Sequence, residues 1–205
     1  VVNVGTGDNV QSVTAGQVFD YQKKMVVGTL TGYRNEYDNQ GWKDGPFETA
    51  AGFRNEGCLE FDPLYPHHLY VVYDHGDIQL LDLKNRMVST PLSRSAFGNH
   101  RLRSISFTND GKYMLVSVDT SSSGVGNSPS VYILRRNADG TFSSQGNPQL
   151  LAAYMQCNGA ALHPVNNNEV YFNSYQRGQV FRLDLNDYFN TVNRGDMWAP
   201  TWAAG

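Results

Sequence analysis

Several residues of this chain are of types that do chemistry when suitably placed. Ser121-Ser122-Ser123-Gly124 offers three hydroxyls beside a glycine, but no Gly-x-Ser-x-Gly elbow occurs to hold a serine on the sharp turn of an α/β-hydrolase. That tract reads as a loop. His67-His68 offers two imidazoles, yet adjacent residues of an extended chain point to opposite sides and do not close on one metal ion. Asp74, Asp119 and His163 are the remaining candidates for a metal-bound group, with Asp74 and Asp119 at matching strand ends. Matching carboxylates also arise for structural reasons, because they satisfy turn amides. Cys58 and Cys157 lie 99 residues apart with no C-x-x-C and no nearby H-x-x-x-H, so they read as two free thiols and not as a zinc site. On these residues alone the reading assigns no catalytic group, no metal and no cofactor.

The elements that must position any site follow from composition and pattern. The chain has 205 residues, enough to bury a real core. Charged residues make up only 17%, aromatic residues 12%, and glycine 20 positions, a mixture that fits an all-β extracellular domain better than a helical bundle. The formal net charge is −3, which argues against nucleic acid as a partner. No apolar run reaches the length of a membrane-spanning helix.

Short alternating or β-branched runs recur along the chain: Lys24–Thr31, Cys58–Phe61, Leu69–Asp74, Ile78–Leu83, Ser104–Phe107, Tyr113–Val118, Val131–Arg135, Leu150–Tyr154, Val170–Ser174 and Gln179–Leu185. Turn signals such as Asn109-Asp110-Gly111 and Asn137-Ala138-Asp139-Gly140 separate them. Only Asp187–Val192 reads as a short helical turn.

An internal repeat organises these runs. Phe61-Asp62-Pro63-Leu64, Leu69-Tyr70-Val71 and Leu81-Asp82-Leu83 return as Leu162-His163-Pro164-Val165, Val170-Tyr171-Phe172 and Leu183-Asp184-Leu185, at shifts of 101, 101 and 102. A third copy lies between them, through Ile105–Gly111, Tyr113–Ser117 and Val131–Leu134. Each copy reads strand, tight loop, strand, turn, strand, then a weaker fourth strand. A small twisted sheet of this kind cannot cover its own faces, so successive copies must stack. The expected fold class is therefore all-β: a β-propeller of four-stranded antiparallel blades, about three of them present. Phe61, Phe107 and Leu162 are expected at equivalent inner-strand positions. Because propellers close with four to eight blades, the ends read as cut, with about half a propeller expected beyond Gly205.

Asp44-Gly45-Pro46, Ala50, Phe53, Gly57, Asp62, then Leu69–Asp74 and Ile78, resembles an NHL repeat. Phe53 is one residue late, Glu56 stands where that pattern has proline, and no basic residue follows the turn at Asp77. Val1–Val4, Val10–Val13 and Val18-Phe19-Asp20-Tyr21 resemble the last strands of an IPT/TIG domain. The resulting division is 1–22 for the IPT/TIG-like strands and 23–205 for an incomplete NHL-like propeller. That pairing resembles secreted or surface-anchored proteins of Bacteroidetes. The resemblance implies an extracellular, cell-surface or periplasmic location and a non-catalytic module that captures a glycan.

In a propeller, the loops before the first strand and after the second strand of each blade gather at one mouth of the channel. Here they carry the candidate ligand-binding residues Asn55, His75, His100, Arg101, Asp119, Tyr175 and Gln176. Planar donors and acceptors with a stacking ring suit a glycan or a peptide. A long Thr120–Ser130 loop emerges on the same side. A metal-dependent propeller hydrolase or lyase, and a protein-interaction scaffold, are the alternative readings.

Overall fold

A computed structural model describes residues 2–4, 11–13, 30–32, 43–50, 57–73, 76–119, 128–143, 148–154, 157–174 and 178–202. The chain divides into two compact units, Val1–Leu30 and Thr31–Gly205. In the first unit, β1 (Val2–Val4) pairs antiparallel with β2 (Gln11–Val13).

The second unit is built from three consecutive sheets. The first holds β4 (Gly57–Phe61), β5 (His68–Tyr73), β6 (Ile78–Asp82) and β7 (Met87–Leu92), with β3 (Gly45–Pro46) added beyond β7. The segment that resembles an NHL repeat thus falls within one sheet. The second holds β8 (Arg101–Phe107), β9 (Tyr113–Asp119), β10 (Ser128–Arg135) and β11 (Gln149–Tyr154). The late strand β15 (Thr201–Trp202) joins the outer edge of β11 in parallel. The third holds β12 (Ala160–Leu162), β13 (Glu169–Asn173) and β14 (Val180–Asp184).

Burial explains why the sheets stack. One apolar cluster joins Tyr70, Val72, Ile78 and Leu92 of the first sheet to Leu102, Ile105, Phe107, Met114 and Val116 of the second. Another joins Leu115, Val131, Ile133 and Leu151, on the opposite face of the second sheet, to Val170, Phe172 and Leu183 of the third. The middle sheet is therefore covered on both faces, and β9 is buried from Met114 to Asp119. Each fully buried Leu, Ile or Val contributes about 1.5–3 kcal/mol of transfer free energy. The architecture is that of successive β-propeller blades.

The repeat is exact at the inner corners. Phe61, Phe107 and Leu162 each end an inner strand and pair with Leu69, Met114 and Val170. The next residue in each copy closes the corner with the same backbone bond: Asp62 N to His68 O, Thr108 N to Tyr113 O, and His163 N to Glu169 O, at 2.9–3.0 Å.

The third copy departs from the expected four strands. Among the described residues it has three, and helix α1 (Leu185–Asn193) follows β14 directly. In the first copy, Asp82 accepts from the amides of Lys84 and Asn85, and Arg86 (φ 55°) turns the chain into β7. In the third, Asp184 accepts from the Asn186 amide and becomes a helix N-cap. The sequence beyond decides the outcome. Leu185, Tyr188, Phe189 and Val192 lie at i, i+3, i+4 and i+7, a helical stripe that packs on the second core cluster.

Candidate functional site

The mouth of the blades is marked by the first residue of each inner strand and the last of the next. Gly57 pairs with Tyr73, Arg101 pairs with Asp119, and Asn173 N donates to Gly159 O. Gly57 has no room for a side chain, because a Cβ there would lie 1.6 Å from Val72 O.

Of the residues expected at this mouth, the structure brings His100, Arg101 and Asp119 together at the entry of β8 and the exit of β9. Asn55, His75, Tyr175 and Gln176 lie outside the described residues, as does Asp74. So does most of the long loop, residues 120–127, with β10 already begun at Ser128.

A β-bulge between Leu102 and Ser104 makes Arg103 the extra residue of β8 and re-aims it. Its Nε and Nη2 donate to Asp119 Oδ2 at 3.2 and 2.5 Å. Asp119 is 4% exposed, and its other oxygen, Oδ1, is buried without a hydrogen-bond partner. His100 is half-buried, and desolvation holds its imidazole below the ordinary pKa. The entry of the second blade thus gathers Arg101, Arg103, the His100 imidazole and the buried Asp119 carboxylate.

Asp119 and His163, two of the candidates for a metal-bound group, lie apart. Asp119 ends β9 at the mouth, whereas His163 follows β12 at the opposite end of the blades. His163 Nδ1 is also engaged, accepting from the amides of Val165 and Asn166. Among the described residues, no group of three or more His, Cys, Asp or Glu converges as a metal site. His68 stacks on Tyr65, with ring centroids 5.2 Å apart.

The inner edge of β8 forms the floor of a second feature, an open groove of about 570 Å³ between β4 and β12. Among the described residues β8 pairs only with β9, and its other edge faces this groove. The groove was not anticipated. The sequence marks Ser104 and Ser106 only as polar interruptions of a strand, and nothing local reveals that Glu60 faces the next blade. Ser104 Oγ is satisfied, bonding Ser117 Oγ at 2.7 Å and accepting from Ala160 N at 3.1 Å. Ser106 Oγ is buried without a partner.

No protein-family model and no curated protein matches this chain. Solved structures do. A Bacteroides thetaiotaomicron protein named provisionally as a phosphatase is 53% identical over 97% of this chain, with a TM-score of 0.79. An auxiliary nutrient binding protein of the same organism is 36% identical over 84% of the chain, with a TM-score of 0.65. A further auxiliary nutrient binding protein, from Bacteroides ovatus, shares the fold at 23% identity and a TM-score of 0.59. The chain spans 44%, 38% and 34% of the lengths of these three. Among the described residues, no helix is long and apolar enough to cross a membrane.

Proposed function

We propose that this chain is part of a nutrient-binding β-propeller that captures an extracellular glycan. The supporting observation is its 36% identity, over 84% of its length, to a solved auxiliary nutrient binding protein. The blade-mouth groups fit the reading. Arg101 carries a guanidinium, the group whose fork recognises a carboxylate or two vicinal hydroxyls, and it stands opposite Asp119 at the strand ends. The NHL-like and IPT/TIG-like resemblances, with a boundary near residue 22, and a cell-surface or periplasmic location belong to the same proposal.

A glycan array followed by calorimetric titration tests it. Arg101→Ala is expected to weaken binding by about 1–3 kcal/mol, the cost of leaving a polar partner unpaired. His67→Ala, at the other end of the blades, is expected to leave affinity unchanged. Loss of affinity in His67→Ala alone discards the mouth as the site.

A second reading rests on the phosphatase name of the 53% identical neighbour. Phosphate release from p-nitrophenyl phosphate, measured with and without added divalent cations, separates it from pure binding. Turnover that survives purification to homogeneity favours the enzyme.

A further inference from the structure

Among the described residues that line the groove along β8, Glu60 is the only Asp, Glu, Lys, Arg or His. No hydrogen bond or ion pair engages the Glu60 carboxylate among the described residues, although burial raises its pKa above the ordinary carboxylate value. Two more deeply buried carboxylates of the second unit are paired with a cation: Asp62 with Arg136, and Asp119 with Arg103. A desolvated carboxylate without a cation is a cost the fold carries without return in stability.

The surroundings describe what would offset that cost. The walls are mainly apolar, from Ile105, Phe107, Leu162 and Val180. The far end is closed where Asn109 Nδ2 donates to Pro164 O at 3.1 Å.

We infer that this groove is a binding site for a small molecule that presents a primary ammonium group on an apolar body, with the ammonium on Glu60 and the body against Leu162 and Val180. The inference is separate from glycan capture at the blade mouth and uses none of its residues.

The probe is benzylamine, with benzyl alcohol as its neutral counterpart, titrated into the whole 205-residue chain and followed by ligand-observed NMR and calorimetry. Benzylamine is expected to bind at least about tenfold more tightly than benzyl alcohol, and Glu60→Gln to remove that preference. Leu162→Trp, which fills the groove, is expected to abolish binding while circular dichroism stays unchanged. Arg101→Ala is expected to leave benzylamine binding intact, which keeps this result independent of the mouth. Equal binding of the two probes, benzylamine affinity that survives Glu60→Gln, or no binding at millimolar concentration each overturns the site.

Discussion

The guanidinium of Arg136 grips the carboxylate of Asp62 with two parallel bonds, Nη1 to Oδ2 and Nη2 to Oδ1, both 2.8 Å. The two residues are 74 positions apart and join the corner of the first blade to the end of β10 in the second. Both side chains are buried, at 8% and 0% exposure. Two further donors of the fork are used. Nε donates to Gly111 O and Nη1 also to Gly140 O, while the guanidinium lies 4.4 Å from the Phe142 ring centroid and 5.3 Å from that of Tyr65. The glycines are part of this joint. A Cβ at Gly140 would meet Tyr65 Oη at 2.2 Å, and one at Gly111 would meet Leu64 at 2.4 Å.

Removing Arg136 would leave a buried, uncompensated charge on Asp62. Arg136→Ala is therefore expected to destabilise the protein by about 3–5 kcal/mol in urea unfolding. Arg136→Lys is expected to recover little of the loss, because a point charge cannot reproduce the fork. A change below 1 kcal/mol in Arg136→Ala would contradict the buried geometry.

Glu60 makes the opposite prediction. Its carboxyl pKa is raised by burial, so the folded state holds its proton more tightly than the unfolded chain does. Between the two pKa values the folded state binds more protons, and stability falls as pH rises through that window. Glu60→Gln is expected to raise the melting temperature at pH 7, with the gain fading below the ordinary carboxylate range. Melting temperatures of both proteins across pH decide this, and a loss of stability in Glu60→Gln at pH 7 rejects it.

The thiols should report the blade arrangement. Cys58 and Cys157 are both free, as the sequence led us to expect. Cys58 is half-buried on the groove side of β4, whereas Cys157 is buried and donates to Gly159 O at 3.3 Å. Burial, only partly opposed by hydrogen bonds, pushes the Cys157 thiol up to about 11. A disulfide reagent at pH 8 is expected to modify Cys58 well before Cys157 in the folded protein. Denatured without reductant, the chain should titrate two thiols.

His163 is expected to tolerate replacement by an acceptor. Its Nδ1 takes the amides of Val165 and Asn166 at 3.2 and 2.9 Å. In the first copy, Asp62 Oδ1 takes the amides of Leu64 and Tyr65 at 2.9 and 3.3 Å. The imidazole thus does in the third blade what a carboxylate does in the first. His163→Asp should retain native stability, and His163→Ala should lose about 1 kcal/mol in denaturant titration. A large loss in His163→Asp would mean that the ring serves some purpose other than closing its turn.

The all-β class, the blade repeat, the corner positions of Phe61, Phe107 and Leu162, and the free cysteines were all legible in the residues. They depend on period-two burial and on turn chemistry, which act over a few neighbouring positions. The mouth residues His100, Arg101 and Asp119 were legible for the same reason, since strand ends are set locally. What the sequence could not hold was every relationship between blades. The grip of Arg136 on Asp62, the bulge that turns Arg103 onto Asp119, and the groove that Glu60 lines each depend on which faces meet after stacking. The helix after Asp184 was legible in part: Asp187–Val192 reads as a helical turn, the phrase Leu-Asp-Leu is shared with the first blade, and burial of Leu185, Tyr188, Phe189 and Val192 on the second core cluster goes with a helix over Leu185–Asn193.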